Sequence, residues 1–363
     1  MASEKKDPLK VCFENSWYPD FSRLRNLHDD KTLVEVKKKV DADGDDLGIF
    51  FMDSRDTAPP CEVEVLEDFC RGISLEDVES GISTAGHRRA VWLDDRGSSF
   101  SPELERSGDA RQYENPLTAT GLWRALKQRR FNHEDLPDAA RRLIYITNLD
   151  PACIHALAAT ASWHQTPVLR NAIYKHLAFQ TSIAVKIPSA GFLTFQLDLH
   201  LPFFLLRKST PPEESVGKVN TKPQRRWTDL SFLKIDTSDS QDLEPKEVWG
   251  IHQAQTSCVV TGSDDWRWVG YGFVDTEIDG FLTDLSKDDL SFDQIAAGKL
   301  EANTPIWRPR DYWLKVFEIR IEQARKEWEY LIHKVELSVN QYVHGQTQNT
   351  PNGICVNAGS LTP

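Results

Sequence analysis

The sequence lacks any uninterrupted apolar run of about 18 residues, the length that a membrane-spanning helix requires. Its longest apolar stretch, residues 197–206, is interrupted by Asp198, His200 and Pro202. The first ten residues also lack the apolar core and the small-residue cleavage site of a secretory signal. We therefore expect a cytoplasmic protein with no membrane partner.

Cysteine pairs and the common cofactor motifs are missing as well. The six cysteines lie far apart with no C-x-x-C pair, which fits reduced thiols and argues against a zinc finger. There is no H-E-x-x-H, and neither G-x-G-x-x-G nor G-x-x-x-x-G-K-[ST] follows an expected strand, so we predict no metal and no cofactor. A G-x-S-x-G elbow is also missing, which argues against a small-molecule hydrolase.

The chain is long and acidic. A protein of 363 residues buries about three quarters of its unfolded surface, and a prior of about 150 residues per domain suggests two lobes. We place an N-terminal α/β lobe at residues 1–135, a mixed α/β lobe at 136–344 and a flexible tail at 345–363. The formal charge of −12 disfavours indiscriminate binding to nucleic acid.

Apolar periodicity in the first part of the chain predicts short strands with one helix between them. Residues 34–40 and 47–52 flank the turn-like DADGDD, which indicates a hairpin or two strands, with Asp53 at a strand end. Two more strands are predicted over residues 89–93 and 142–147. The helix is predicted between those two strands, over residues 117–131, with Thr118 or Thr120 as its N-cap.

Two proline-containing signals predict short helices in the second lobe. Asp150 precedes Pro151, and Thr166 precedes Pro167, so each pair combines an N-cap residue with a proline at the first helical position. The first helix is expected to end near residue 163 and the second near residue 178.

Alternating residues then predict two antiparallel hairpins. The first covers residues 183–203, and the second covers residues 256–275 and turns at TGSDD. A long helix is predicted over residues 311–343. The fold class is therefore α/β in the mixed α+β sense, with an N-terminal α/β lobe, antiparallel hairpins and a long C-terminal helix.

A polar strip on the first hairpin is the leading catalytic candidate. Gln196, Asp198 and His200 alternate with Leu197 and Leu199, so the three polar side chains share one strand face about 6 to 7 Å apart. A carboxylate beside a histidine can orient it for proton transfer or hold a cationic substrate. The alternative interpretation is a solvated face of an antiparallel sheet.

The second hairpin concentrates carboxylates and tryptophans. Asp264, Asp265, Trp266, Trp268 and Asp275 fall within it, and aromatic rings beside carboxylates suit the recognition of a guanidinium or an aromatic amino acid. Aromatic core packing with a polar turn is the alternative.

Basic residues cluster at the end of the predicted helix. They are Arg124, Lys127, Arg129 and Arg130. Clustered positive charge is all that phosphate contacts require, so these residues are candidates for nucleic-acid binding. Alternatively, the cations only complement the dipole at the helix C-terminus.

The final helix has an apolar seam at spacings of three and four residues. The seam consists of Leu314, Phe317, Ile321, Ala324, Trp328, Leu331 and Val335. We expect it to pack within the same chain, because such stripes usually face a core. An exposed seam would instead indicate an interaction module.

Four segments resemble a large group of fungal proteins often labelled CorA-like. They are RRLIYITNLDPACIHALAATASWHQTPVLRNAIYKHLAF, SIAVKIPSAGFLTFQLDLHLPFFLLRK, DDWRWVGYGFVDT and PIWRPRDYWLKVFEIRIEQARKEWEYLIHKVELSV. The resemblance covers residues 118–343. The longer members carry a further helical region and membrane spans, and we expect this chain to be a soluble version without them. Among soluble chains, the sequence resembles arginine-containing cyclodipeptide synthases, which join arginine to a second amino acid from aminoacyl-tRNAs.

That resemblance implies a role for each candidate residue. His200 and Asp198 would be catalytic, and the second hairpin's Asp264, Asp265, Trp266, Trp268 and Asp275 would bind substrate. Arg124, Lys127, Arg129 and Arg130 would contact tRNA, the partners being arginyl-tRNA and a second aminoacyl-tRNA. The sequence departs from the synthase pattern in having no D-D-x-x-E. The alternative function is a non-enzymatic soluble relative that acts as an interaction module.

Overall fold

The structure is a computed structural model that describes residues 19–25, 31–38, 46–51, 60–97, 109–187, 193–209, 225–233, 248–275 and 306–348. These residues form helices, two short 3-10 turns and one mixed sheet, which confirms the mixed α/β class and the long C-terminal helix. Asp53 and residues 349–363 of the predicted tail lie outside the described residues.

The helices alternate with strands only in part of the chain. They are α1 (Leu33–Lys38), α2 (Asp46–Phe51), α3 (Pro60–Cys70), α4 (Leu75–Ser80), α5 (Thr84–His87), α6 (Ala119–Leu126), α7 (Pro151–Thr160), α8 (Thr166–Leu177) and α9 (Pro309–Gln348). Five of them precede the first strand.

Within the described residues the sheet has seven strands, in the order β1-β2-β7-β6-β4-β3 with β5 paired to β6. The strands are β1 (Val91–Arg96), β2 (Arg141–Thr147), β3 (Ser182–Lys186), β4 (Phe195–Ser209), β5 (Trp227–Asp229), β6 (Val248–Gly262) and β7 (Trp268–Val274). Strands β2 and β7 run parallel, whereas β1–β2, β3–β4, β5–β6 and β6–β7 are antiparallel. Both predicted hairpins, β3–β4 and β6–β7, are thus confirmed.

Two apolar clusters cover the two faces of the sheet. The larger cluster joins residues of α2 to α8 to Val91, Ile144 and Phe273 on the strands. On the opposite face, the first turns of α9 pack through Trp313 and Val316 against strand residues. Functional side chains between α8 and the sheet therefore sit against the larger cluster.

Close packing explains a glycine in β7. A Cβ on Gly272 would collide with the ring of Tyr145 on the neighbouring strand. The hydroxyl of that tyrosine contacts the hydroxyl of Tyr312 at the start of α9. Glycine is therefore required at this position because an aromatic ring occupies the space of its side chain.

A buried ion pair joins β1 to β2. Arg142 donates from Nε and Nη2 to the Asp95 carboxylate over 2.8 and 2.7 Å, and the Tyr113 hydroxyl donates to the same carboxylate over 2.8 Å. Burial alone would raise the pKa of Asp95, but the Arg142 guanidinium and the Tyr113 hydrogen bond outweigh it, so the pKa is lowered. The carboxylate stays ionised in the sheet.

The contacts divide the chain into two compact units. One unit contains the described residues up to Phe203 together with Ala254–Gln323, and the other contains those of Phe204–Gln253 and those from Ala324 onward. The polar residues discussed below belong to the first unit. The boundary that the sequence suggested at residue 135 stays a prediction.

The strands predicted near residues 34–40 and 47–52 are wrong, because α1 and α2 occupy these segments. Leu47, Phe50 and Phe51 bury their side chains together, and a spacing of three and four residues places them on one helical face. The segment is an almost continuous apolar run, so the helical spacing was not evident in the sequence. In contrast, strand β2 lies where the sequence predicted it, and β1 begins two residues later than predicted and continues to Arg96.

Two of the predicted helix caps are confirmed and one is wrong. Thr118 accepts a hydrogen bond from the backbone of Gly121, and Asp150 accepts one from the backbone of Cys153. Thr166, however, is the first residue of α8 and not its N-cap; its hydroxyl donates to the carbonyl of Ser162 over 3.0 Å.

The predicted seam of α9 is only partly buried. Ala324 is buried, but Ile321 is 38% exposed and Trp328 is 41% exposed. The buried face instead contains Trp313 and Val316. A straight helix repeats every 3.6 residues, so a stripe read at heptad spacing drifts away from the face that packs.

Candidate functional site

The predicted polar strip of β4 lies between the sheet and helix α8. Asp198 and His200 share one face of the strand, opposite Leu197 and Leu199, as the alternation predicted. Both polar side chains have no exposed surface, so the interpretation of this strip as a solvated face is wrong. Buried polar groups require partners, and the partners define the site.

Asp198 is paired with two ammonium groups. Its Oδ2 lies 3.2 Å from Nζ of Lys175 on α8 and 3.0 Å from Nζ of Lys186 on β3, and Gln196 donates to Oδ1 over 2.6 Å. Burial acts to raise the pKa of Asp198, but the Gln196 hydrogen bond and the two lysines outweigh it and lower the pKa. Asp198 is therefore an ionised carboxylate with a partner at each of its two oxygens.

His200 contacts a serine that the sequence did not single out. Its Nδ1 lies 2.9 Å from Oγ of Ser257 on β6, and the same Oγ lies 3.0 Å from Nδ1 of His176 on α8. The Nε2 atom of His176 lies 3.3 Å from Oδ1 of Asp275, immediately after β7. We call Asp275, His176, Ser257 and His200 the serine–histidine cluster.

One arrangement of protons satisfies both contacts of the Ser257 hydroxyl. The Asp275 carboxylate favours a proton on Nε2 of His176, which leaves Nδ1 as an acceptor for the Ser257 hydroxyl proton. The serine oxygen then accepts a hydrogen bond from Nδ1–H of His200. Nε2 of His200 is left with a lone pair, and it is buried with no hydrogen-bond partner among the described residues.

Burial decides the charge of His200. Desolvation lowers its pKa from 6.5 to about 3, although the nearby Asp198 carboxylate acts in the opposite direction. His200 is therefore a neutral imidazole at physiological pH. Lys175 also has a lowered pKa, because desolvation outweighs its attraction to Asp198.

Main-chain contacts fix the end of α8 against the sheet. The Gln255 side chain donates to the carbonyls of Lys175 and Gln180 over 3.1 and 3.0 Å. The backbone of Gln255 in turn donates to Oδ2 of Asp275 over 2.7 Å. The carboxylate and the helix that carries His176 are therefore held by one residue of β6.

Of the predicted substrate-binding residues, only Asp275 belongs to the serine–histidine cluster. Asp264 is buried, and its carboxylate accepts hydrogen bonds from the backbones of Arg25, Trp266 and Arg267 and from Ser263, so it holds the turn together. The Asp265 backbone donates to the carbonyl of Phe21, and burial raises the pKa of the Asp265 carboxyl.

The two tryptophans of the hairpin have different environments. Trp266 is 43% exposed. Trp268 is buried, packs against Tyr312 and donates from its indole nitrogen to the carbonyl of Trp307. It also lines a small cleft with Phe131, Arg267 and others, and no member of the serine–histidine cluster lines that cleft. The structure thus supports the core interpretation for Trp268.

The basic residues near α6 do not form one surface. Arg124, Lys127 and Arg129 are exposed, and Lys127 lies over the ring of Trp123. Arg130 is buried, and it donates to the carbonyls of Ala139, Ala140 and Trp268. Its guanidinium therefore organises the backbone and is not part of the exposed group.

The sequence did not indicate two members of the cluster, His176 and Ser257. A signal was present in β6, where the polar residues Gln255 and Ser257 are two positions apart and so share a face. His176 gave no local signal, because it is one polar residue in the last turn of a mostly buried helix.

None of the described helices is long and apolar enough to cross a bilayer, and the described residues contain no group of three or more side chains suited to hold a metal ion. Comparison of the chain with protein-family models, curated proteins and solved structures finds no significant match in any of the three. The membership suggested by the CorA-like resemblance stays a prediction.

Proposed function

We propose that this chain is an acyl-transfer enzyme in which Ser257 attacks the acyl donor while His176, backed by Asp275, takes the hydroxyl proton. The observation that carries the proposal is the Ser257 hydroxyl, 3.0 Å from a histidine whose other ring nitrogen faces a carboxylate. Enzymes activate a serine hydroxyl at neutral pH with such an arrangement, in which a third group orients the base.

The sequence resemblance supplies the substrate class for this proposal. An aminoacyl-tRNA is an ester of an amino acid, so its acyl group is a suitable donor for a serine nucleophile. We therefore propose an arginine-containing cyclodipeptide synthase of the cytoplasm, which forms a cyclo-Arg-Xaa diketopiperazine from arginyl-tRNA and a second aminoacyl-tRNA. The exposed Arg124, Lys127 and Arg129 would meet tRNA phosphates.

Recognition of the arginine side chain rests on the resemblance alone. Asp198, Asp264 and Asp275 each have partners within the protein. Asp265 is the remaining candidate of the four carboxylates, and the positive charges of Arg308 and Arg310 lie close enough to act on its pKa. The proposal at the level of acyl transfer does not depend on which of these groups meets the guanidinium.

The buried cluster also has a purely structural interpretation, in which Ser257 only joins α8 to the sheet. Ser257 and His200 are almost completely buried, and a hydrogen bond between such groups stabilises the fold by about 0.5 to 1.5 kcal/mol. Under this interpretation, loss of the hydroxyl changes stability without removing a reaction. Activity and stability must therefore be measured together.

The test is expression of the full chain in a bacterium, followed by mass spectrometry of the medium for arginine-containing diketopiperazines. We expect the wild type to form product and Ser257→Ala to lose at least about 100-fold, because the nucleophile is gone. Thr261→Val is the matched control, since Thr261 is a buried hydroxyl on the same strand that donates to the Phe195 carbonyl. Undiminished product from a folded Ser257→Ala variant would refute the proposal.

One observation favours the second candidate, the interaction module. The distal half of α9 exposes several large apolar side chains, among them Ile332, Leu337, Val339, Tyr342 and Val343. Apolar side chains grouped on an exposed helix commonly mark a contact surface. If the wild type forms no diketopiperazine and Ser257→Ala changes only stability, this candidate becomes the better account.

A further inference from the structure

We propose that the small cleft beside Phe131 binds a phosphate group of a single-stranded RNA end, and that the exposed ring of Trp163 at its rim stacks on a base of that RNA. The identity of the RNA rests on the proposed function, because an aminoacyl-tRNA carries its acyl group on a single-stranded end. The residues of the cleft bind this end and take no part in the acyl-transfer step itself.

The cleft gathers positive charge in an acidic chain. The described residues that line it include Arg130, Arg267 and His164, and none of the described lining residues is Asp or Glu. The formal charge of the whole chain is −12, so a wall with two arginines and no carboxylate differs from the average composition. An anionic group is the ligand that such a wall attracts.

One aromatic ring holds the two guanidinium groups close together. The guanidinium carbons of Arg130 and Arg267 lie 4.9 and 4.7 Å from the centroid of the Phe131 ring, so they are no farther apart than the sum of these distances. Three carbonyl oxygens accept hydrogen bonds from Arg130, which fixes this guanidinium without cancelling its charge. Two cations held this close repel each other, and a bound phosphate would relieve that repulsion.

The size of the cleft limits what can enter it. Its volume is about 20 Å³, which is room for about one water-sized group. A pocket for a whole small-molecule ligand usually measures about 300 to 1,000 Å³. The cleft therefore suits the oxygens of one phosphate whose remaining parts lie on the protein surface, as they do in an RNA backbone.

An exposed aromatic ring lies at the rim of the cleft. The centroids of the Trp163 and His164 rings are 3.5 Å apart, and His164 lines the cleft. Trp163 is 38% exposed, so its ring is accessible to a ligand. Proteins that bind single-stranded nucleic acid combine a basic groove with aromatic rings on which bases stack. Arg267 and Trp163 supply these two elements at one cleft.

The basic end of α6 leads towards the same cleft along the chain. Arg129 is exposed and directly precedes Arg130, and Lys127 is exposed as well. Both cations are already assigned to tRNA phosphates in the proposed function. The cleft would add one enclosed phosphate contact to these exposed ones.

The experiment is a fluorescence anisotropy titration of a short, labelled single-stranded RNA ending in CCA, which carries no amino acid, with the full chain. Arg267→Gln should weaken binding by about tenfold and lower the slope of log affinity against log salt concentration by about 0.7, the value for one phosphate contact on a single strand. Trp163→Leu should weaken binding by about tenfold without changing that slope, because stacking releases no counterions.

Matched controls and one further variant separate binding from folding. Arg71→Gln changes an exposed arginine just after α3, and Trp328→Leu changes a tryptophan of α9 that is 41% exposed; neither residue lines the cleft, and both variants should bind RNA as the wild type does. Thr194→Glu places a carboxylate in the cleft, so it should weaken RNA binding at least as much as Arg267→Gln while the thermal midpoint is kept or raised.

The outcomes distinguish this site from the proposed function. Wild-type RNA affinity in folded Arg267→Gln and Thr194→Glu, or no RNA binding by the wild type, would overturn the site. Displacement of the RNA by an equal concentration of adenosine monophosphate would overturn the assignment to an RNA end. A wild type that binds the RNA through these residues but forms no diketopiperazine would support the site and count against the proposed function.

Discussion

The neutral, buried state of His200 makes a measurable prediction about the pH dependence of stability. The folded pKa is about 3 and the ordinary value is 6.5, so below about pH 7 the unfolded chain binds a proton that the folded chain does not. Stability must therefore fall as the pH falls through 6.5, and the loss is complete only near pH 3.

The expected magnitude follows from the pKa difference. Each pH unit between the two pKa values costs about 1.4 kcal/mol, so acidification from about pH 7.5 to about pH 5 should remove about 2 kcal/mol of unfolding free energy through this one residue. The charges of Asp198, Lys175, His176 and Lys186 act on the pKa of the His200 ring, and other groups of the chain add to the overall pH dependence of stability. The contribution of His200 must therefore be obtained as a difference.

The assay is urea denaturation followed by circular dichroism at several pH values in this interval. His200→Asn removes the titrating ring, so the variant should lose less stability on acidification than the wild type, by about 2 kcal/mol. The matched control is His87→Asn, which removes an exposed imidazole; acidification should destabilise His200→Asn less than it destabilises this control. Parallel curves for wild type and His200→Asn would refute the argument that burial excludes the charged imidazole.

Two further predictions concern the sheet. Asp95→Asn should lower the unfolding free energy by about 3 to 5 kcal/mol in denaturant titrations, because it leaves the Arg142 charge buried without its carboxylate. The partly exposed Asp94 is the control; a loss no larger than that of Asp94→Asn would contradict the prediction. Gly272→Ala should cost about 1 to 3 kcal/mol, because the new methyl group collides with the Tyr145 ring. An unchanged thermal midpoint for that variant would show that the ring moves freely.

The sequence was most informative where one local period determined the outcome. Alternation alone placed Asp198 and His200 on one side of β4, and the turn between β6 and β7 followed from TGSDD. The same reasoning failed for α2, because a short apolar run fits a buried strand and a buried helix equally well. Length and neighbouring turn residues did not separate the two.

The rest of the site required knowledge of long-range packing. Ser257 meets His176 only because α8 lies across β6, and no local pattern links two residues 81 positions apart. Burial also gives some residues a different role from the one that the sequence suggested. Asp264 and Arg130 read as ligand-binding groups in the sequence, but the structure uses them to satisfy backbone amides and carbonyls.

The parallel pairing of β2 with β7 has a consequence for synthesis of the chain on the ribosome. Strand β2 can pair along its second edge only after β7 has left the ribosome, since Arg141 is in register with Trp268. At about 5 to 20 residues per second, β2 waits roughly 6 to 25 seconds with one edge unpaired. All seven residues of β2 are buried in the finished sheet. During this interval the unpaired edge of the strand is exposed and can associate with other chains in the cell. Slower translation of the segment between β2 and β7 would lengthen the time for which this edge is exposed. Chaperones that bind extended apolar segments would be needed during that time.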